Sequence, residues 1–126
     1  MKYPFLLILL AGFFLSHCQR GADYRATLTA EAESYHQQAE EIQRKLLPAI
    51  QHLEQERNQI NIQGRALSEA EQERVAVIEA LLEQYTEFEA QFKPVAAEDI
   101  SRKVVAQQRA KLEAIQAIQE EIKHLE

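Results

Sequence analysis

After residue 24 the chain repeats apolar residues at the spacing of an α-helix. Over about 24–60 a seven-residue register places nine apolar positions in two rows, with Glu, Gln and Lys between them. These positions are Leu28, Ala32, Tyr35, Ala39, Ile42, Leu46, Ala49, Leu53 and Ile60. Pro48 lies within this stretch and lacks an amide hydrogen. The pattern therefore predicts a long first helix that is kinked at Pro48 or split in two there.

A second helix is predicted over about 68–92. It begins with a capping box, in which the Ser68 hydroxyl accepts from the amide of Glu71 while the Glu71 side chain reaches back. Pro94 ends this helix, because the residue before a proline is driven out of the α conformation. Its apolar face consists of Val75, Ile78, Leu81, Leu82, Tyr85, Phe88 and Phe92.

A third helix is predicted over about 97–125, with Glu98 and Asp99 at its positive N-terminal end. Its apolar positions are Val104, Val105, Leu112, Ile115, Ile118, Ile122 and Leu125. Gly64 and the asparagines before it favour a turn between the first and second helices.

Three helices joined by short connections predict an all-α fold, an antiparallel up-down-up three-helix bundle with coiled-coil-like packing. Charge favours the second and third helices as neighbours, since residues 69–89 sum to −6 and residues 98–111 sum to +2. The pairs expected to meet are drawn from Glu83, Glu87, Glu89, Arg102, Lys103 and Arg109. A helical hairpin that oligomerises as a coiled coil is the alternative, although the second helix has a broader apolar face than a two-stranded seam.

Composition agrees with a helical fold and narrows the classes of partner. The chain of 126 residues has 18 Glu, 18 Ala and 15 Gln but only three Gly and three Pro. A net charge of −6 argues against nucleic acid as a partner, because phosphates require a basic surface. A single cysteine excludes a disulfide within the monomer and a cysteine-based zinc site.

The N-terminus has the layout of a signal peptide. Lys2 precedes an uninterrupted apolar run over 5–15, and polar residues begin again at Gln19. The run of 11 residues is shorter than the roughly 20 residues that a membrane-spanning helix needs. We therefore expect residues 1–17 to be an export signal.

The segment Leu15-Ser16-His17-Cys18 resembles the processing site of bacterial lipoprotein precursors. Leu15 and Ser16 fit the family pattern, His17 departs from it, and Cys18 takes the place of the lipidated cysteine. The resemblance implies a lipid anchor on Cys18, a diacylglyceryl thioether with a palmitate-type acyl chain. Residues 18–23 would then form a lipidated polar tether, and residues 24–126 the helical body.

The residue after Cys18 bears on the membrane that holds the protein. In enteric bacteria an Asp there retains a lipoprotein at the inner membrane, and this chain has Gln19. By that analogy the protein belongs on the periplasmic face of the outer membrane. Two alternatives remain open: ordinary secretion with cleavage after Cys18, where Ser16 and Cys18 are the small residues, and an uncleaved anchor or non-bacterial signal.

The helical body contains few candidates for metal-binding or catalytic residues. Glu33, His36 and Glu40 share one helix face and are weak candidates for a metal site, but in a chain so rich in Glu a solvated face is the simpler interpretation. Ser68 suits a helix cap better than a nucleophile. We therefore expect no metal, no cofactor and no enzymatic activity.

These observations predict a small bacterial envelope lipoprotein that acts as a non-enzymatic helical interaction or structural module. Its partner would be another envelope protein or a second copy of the chain, besides the membrane itself. The alternative is a periplasmic chaperone or a stress- or metal-sensing protein. Residues 67–71 loosely resemble the Leu-Thr-x-x-Gln motif of Spy-type helical chaperones, with both Thr and Gln replaced.

Overall fold

A computed structural model describes the backbone of residues 3–125 and the side chains of residue 21 and residues 23–125. Three α-helices account for most of this backbone: α1 is Tyr3–Ile62, α2 is Glu69–Gln91 and α3 is Arg102–Leu125. A single 3-10 turn, Ala97–Asp99, precedes α3, and no strand occurs over 3–125. The predicted all-α class and three-helix arrangement are confirmed.

α1 is longer than the sequence pattern predicted. It begins at Tyr3 rather than near residue 24, so residues 18–23, the expected tether, continue the helix. It also runs through Pro48 without interruption, so the first helix is not split in two. Pro48 lacks the amide that would bond to the Arg44 carbonyl, and the packing of the surrounding residues offsets that loss.

Contacts at one end of the bundle show how the three helices run. At this distal end the Arg74 guanidinium in α2 donates to the Glu56 carboxylate in α1 over 2.9 and 3.2 Å. The same guanidinium donates to the Leu125 carbonyl in α3 over 3.4 Å. The start of α2 therefore meets the ends of α1 and α3, as an antiparallel α2 requires.

The proximal end gives the complementary contacts. The Arg102 guanidinium at the start of α3 lies over the Tyr24 ring in α1, 5.6 Å from its centroid, and donates to the Tyr24 hydroxyl. The His36 ring in α1 stacks on Phe92, which follows α2, with centroids 4.4 Å apart. α1 and α3 are thus parallel, and the topology is up-down-up.

The core fills the space between the three helices. Its buried apolar residues are Ala39, Leu46, Ile50, Leu53, Ile78, Leu81, Leu82, Tyr85, Phe88, Leu112, Ile115, Ile118 and Ile122. The predicted positions Leu28, Tyr35, Ile42, Ala49, Ile60, Val75, Phe92, Val104 and Leu125 are only half-buried. Each helix therefore contributes its predicted apolar face to the core. On α1 the row of Ala39, Leu46 and Leu53 is buried, whereas the row of Tyr35, Ile42 and Ala49 packs against the core at its edge.

α1 and α3 form the most extensive helix pair. Ala32 and Ala39 are fully buried on α1, where small side chains permit close packing of a neighbouring helix. α2 and α3 are neighbours, as predicted, but among the described side chains none of the expected ion pairs joins them. Arg109 pairs with Glu113 in its own helix over 3.3 Å, and Arg102 contacts Tyr24. Exposed ion pairs are too weak to outweigh the burial of apolar surface.

Local signals define the start of α2 and the turn that precedes it. Ser68 and Glu71 form the predicted capping box, with both reciprocal hydrogen bonds present. Gly64 adopts a φ of 65°, in the left-handed region that glycine enters without strain, and it turns the chain after α1.

α3 begins later than predicted. Glu98 and Asp99 lie in the 3-10 turn rather than in the first turn of α3. The Ser101 hydroxyl accepts from the Val104 amide over 3.3 Å, and it therefore caps the helix at Arg102. The hydrogen bond to the Ser101 side chain therefore determines where α3 begins. The favourable position of Glu98 and Asp99 near the positive helix end does not extend the helix to include them.

Candidate functional site

A groove of about 770 Å³ separates α2 from α3 on the side of the bundle away from α1. Buried Phe88 and Ile118 lie at its base. Its walls are alanines and its rim is polar: Ala90, Ala110, Ala114, Ala117, Gln84, Glu87, Gln91, Gln107, Lys93 and Lys111. Alanine side chains are too short to close the space between two helices, and α3 packs mainly on α1, so the groove stays open.

The groove surface extends beyond its lining residues along α2. Val77 lies seven residues before Gln84 and therefore on the same side of the helix. Its side chain is 44% exposed, one of four large apolar side chains in the described part of the chain that are this accessible. Exposed apolar area next to a groove is typical of an interaction surface.

Two lysines share the proximal end of the groove. The pKa of Lys111 is lowered, first because the side chain is partly buried and second because the positive charge of Lys93 lies nearby. Over the side chains described, neither lysine lies within ion-pair distance of a carboxylate. An acidic group brought to this end would relieve the repulsion between the two ammonium groups.

A smaller cavity of about 340 Å³ lies at the distal end, bounded by the contact between Arg74 and Glu56. The Arg74 guanidinium donates to the Glu56 carboxylate and lowers its pKa, and the carboxylate raises the pKa of Arg74 in return. Both side chains are about one third exposed. The pair satisfies its own charges and joins α1 to α2, so we assign it a structural role.

The weak metal candidates do not converge. His36 stacks on Phe92, and its Nε2 lies 3.9 Å from a Glu40 carboxylate oxygen, while Glu33 is exposed and joins neither. The His36 Nδ1 is buried without a hydrogen-bond partner. In residue 21 and residues 23–125, no three His, Cys, Asp or Glu side chains are grouped as a metal site. The stacked ring is part of the packing between α1 and α2.

Ser68 and Glu71 are fully engaged at the start of α2. Glu71 also accepts from Arg65 over 2.9 and 3.0 Å, and its pKa is lowered mainly by Arg65 and then by the Ser68 amide. The segment 67–71, which loosely resembles a chaperone motif, is accounted for by this cap. Ser68 and Glu71 are thus held by structural hydrogen bonds.

The side chains of Cys18 and His17 lie outside those described, so the proposed lipidation site has no geometry to report. Among the side chains that are described, no helix carries an apolar stretch long enough to cross a bilayer.

The groove was not predicted from the sequence, although a signal for it exists. Ala110, Ala114 and Ala117 form a small-residue row on α3 that is separate from the row of Val, Leu and Ile facing the core. A second row at helical spacing indicates a second contact surface. Alanine alone does not reveal whether such a row is covered within the chain.

Comparison with protein-family models, with curated proteins and with solved structures finds no match for this chain.

Proposed function

We propose that this chain is a small bacterial envelope lipoprotein, a non-enzymatic helical module held on the periplasmic face of the outer membrane by a lipid on Cys18. The observation that carries the proposal is the position of Cys18. It lies three residues after Leu15, the last residue of the 5–15 apolar run, with Leu15 and Ser16 at the spacing that lipoprotein processing uses. Gln19 in place of Asp favours the outer membrane.

The arrangement of the bundle is compatible with a tether at its proximal end. Tyr24 lies six residues after Cys18, which limits its distance from the anchored sulfur to about 20 Å even for an extended chain. Two or more acyl chains suffice for stable anchoring, at about 0.8 kcal/mol per buried CH₂. On this proposal the proximal end of the bundle stays near the membrane surface.

The α2–α3 groove supports an interaction role for the body. It combines small apolar walls, exposed Val77 and two unneutralised lysines, and its open shape suits a helix from a partner. The polar groups singled out as candidates for chemistry, Ser68 and His36, are instead engaged in a cap and in ring stacking. We therefore assign the body to binding.

Intact-mass measurement of the membrane-associated protein tests the anchor. The wild-type chain should begin at Cys18 and carry the mass of a diacylglyceryl group with an N-acyl chain, and Cys18→Ala should remove both features. Ser16→Ala keeps a small residue at its position and serves as the matched control, with processing retained. A wild-type chain that is soluble, unacylated and begins after Cys18 would refute the proposal.

A further inference from the structure

The α2–α3 groove is positively charged at one end and has apolar walls and an apolar base beyond it. Lys93 and Lys111 lie at the proximal end, and Phe88, Ala114 and Ile118 supply apolar surface toward the distal end. Side chains on a helix lean toward its N-terminus, so the ammonium of Lys111 is expected on the proximal side of its own Cα. This arrangement complements an amphiphile that has a negative head and a hydrocarbon tail.

The groove differs in charge from the rest of the chain. Its three charged lining residues, Glu87, Lys93 and Lys111, sum to +1, whereas the whole chain carries −6. In the described part of the chain none of the three belongs to an ion pair. Burial and then the positive charge of Lys93 lower the pKa of Lys111. One added negative charge therefore neutralises the lining and relieves the repulsion between the lysines.

The dimensions of the groove suit a single hydrocarbon chain. Its volume of about 770 Å³ lies within the range of roughly 300–1,000 Å³ that is typical of small-molecule sites. Gln107 and Ile118, the first and last lining residues on α3, are separated by about 16 Å along the helix. An extended hydrocarbon chain advances about 1.25 Å per carbon, because C–C bonds of about 1.5 Å meet at the tetrahedral angle. The groove is therefore as long as a chain of about 13 carbons.

The polar rim favours a thin occupant over a helix from a partner. Gln84, Glu87, Gln91 and Gln107 stand along the rim, so most of the apolar surface lies inside the groove. Of the four highly exposed large apolar side chains in the described part of the chain, Val77 alone belongs to α2 or α3. A helix about 10–12 Å across would rest largely on polar groups. A hydrocarbon chain can lie between the helices and contact the alanine walls.

We propose that the α2–α3 groove binds the anion of a long-chain fatty acid, with the carboxylate at Lys93 and Lys111 and the tail along Ala114 toward Ile118. The inference rests on the binding role proposed above and names the class of ligand. The carboxylate accepts charge-assisted hydrogen bonds from the ammonium groups, and each methylene removed from water favours binding. A bilayer beside a tethered chain is a source of such molecules.

Photo-cross-linking of the chain in its own isolated membranes tests the site. The probe is tetradecanoic acid with a photoreactive diazirine in the middle of its chain, and mass spectrometry locates the adducts after irradiation. We expect adducts on the α2 and α3 peptides that line the groove, and unlabelled tetradecanoate should compete with them. Tetradecyltrimethylammonium has a tail of the same length and the opposite charge, and it should compete at least about tenfold less well.

Four variants separate the head contact from the tail contact. Lys111→Glu should lower the yield of groove adducts about tenfold, because it replaces an attraction with a repulsion. Lys45→Glu makes the same change on the exposed side of α1 and should leave the yield unchanged. Ala114→Leu should also lower the yield about tenfold by filling the groove, whereas Ala30→Leu at an exposed position of α1 should have no effect.

Several outcomes would overturn the fatty-acid site. These are no groove adducts, adducts spread equally over α1, equal competition by the cationic amphiphile, and yields unchanged by Lys111→Glu and Ala114→Leu. Absence of adducts together with a bis-maleimide cross-link from Ala114→Cys to another protein would assign the groove to a partner's helix. That result would overturn the fatty-acid site and leave the interaction role intact. Groove adducts on a soluble, unacylated chain would refute the lipid anchor and support the fatty-acid site.

Discussion

The contact between Arg74 and Glu56 should stabilise the bundle by a measurable, pH-dependent amount. Two hydrogen bonds of 2.9 and 3.2 Å join the guanidinium to the carboxylate. A hydrogen bond to a charged group contributes about 1.5–3 kcal/mol to the free energy of unfolding when it is shielded from water. Because both side chains are about one third exposed, solvent screening reduces the expected coupling to about 1 kcal/mol.

A double-mutant cycle with Arg74→Met and Glu56→Gln isolates this coupling from the other effects of each substitution. The free energy of unfolding is measured by urea titration and circular dichroism on residues 21–126, which contain every buried residue described. Arg109 and Glu113 supply a matched control, because their ion pair within α3 is about two thirds exposed. We expect the control pair to contribute about 0.3–0.5 kcal/mol at most.

The coupling should fall in acid. Arg74 holds the pKa of Glu56 below its ordinary value of 4.5, so folding favours the ionised carboxylate. The stabilisation is therefore complete well above pH 4.5 and is lost as the pH falls through the lower pKa of the folded state. A coupling no larger than that of the control pair at pH 7, or one that is unchanged at pH 3, would refute this reasoning.

Three further substitutions test the packing by the same urea titration. Ser68→Ala should cost about 1 kcal/mol by removing the cap of α2, whereas Ser34→Ala on an exposed face should cost less than half of that. Ile115→Ala should cost about 2–5 kcal/mol because Ile115 is fully buried, and Gln116→Ala beside it should have little effect; equal costs would contradict the assigned core. Gln108→Leu should stabilise the bundle by about 1 kcal/mol, because the Gln108 Oε1 is buried without a partner, and a loss of stability would show that this amide is satisfied.

Much of the fold follows from short-range patterns. The capping box at Ser68, the glycine at Gly64 and the proline at Pro94 act through neighbouring backbone groups, so the sequence alone locates both ends of α2 within one residue. The seven-residue rows likewise predict which faces of α1, α2 and α3 are apolar. These features need no knowledge of which helix packs on which.

The choice of neighbours could not be predicted in the same way. Charge favoured contact between α2 and α3, which are neighbours, but it did not indicate that α1 and α3 form the most extensive pair. Ala32 and Ala39 on α1 are fully buried. Ala114 has the same side chain and is exposed in the groove. An alanine contributes too little apolar area to show, from sequence, whether another helix covers it.

Single polar residues in the core show the same dependence on packing. Gln108 occupies a position on α3 that continues the apolar row from Val105 to Leu112, and it is 4% exposed. The carboxylates near His36 on α1 make it a metal-site candidate in the sequence. In the structure its ring stacks on Phe92, which follows α2. Neither environment can be inferred from residues nearby in sequence.

Helix content, helix ends and apolar faces of this protein come from interactions within a few residues, and they are therefore already present in the amino-acid order. Other features depend on how the apolar faces of all three helices pack together in the core. These features are the parallel pairing of α1 with α3, the hydrogen bonds from Arg74 to Glu56 and Leu125, and the groove between α2 and α3. This packing is determined by the total apolar area that is buried and by the fit of side-chain volumes across the bundle. Neither quantity can be obtained from one segment of the sequence alone.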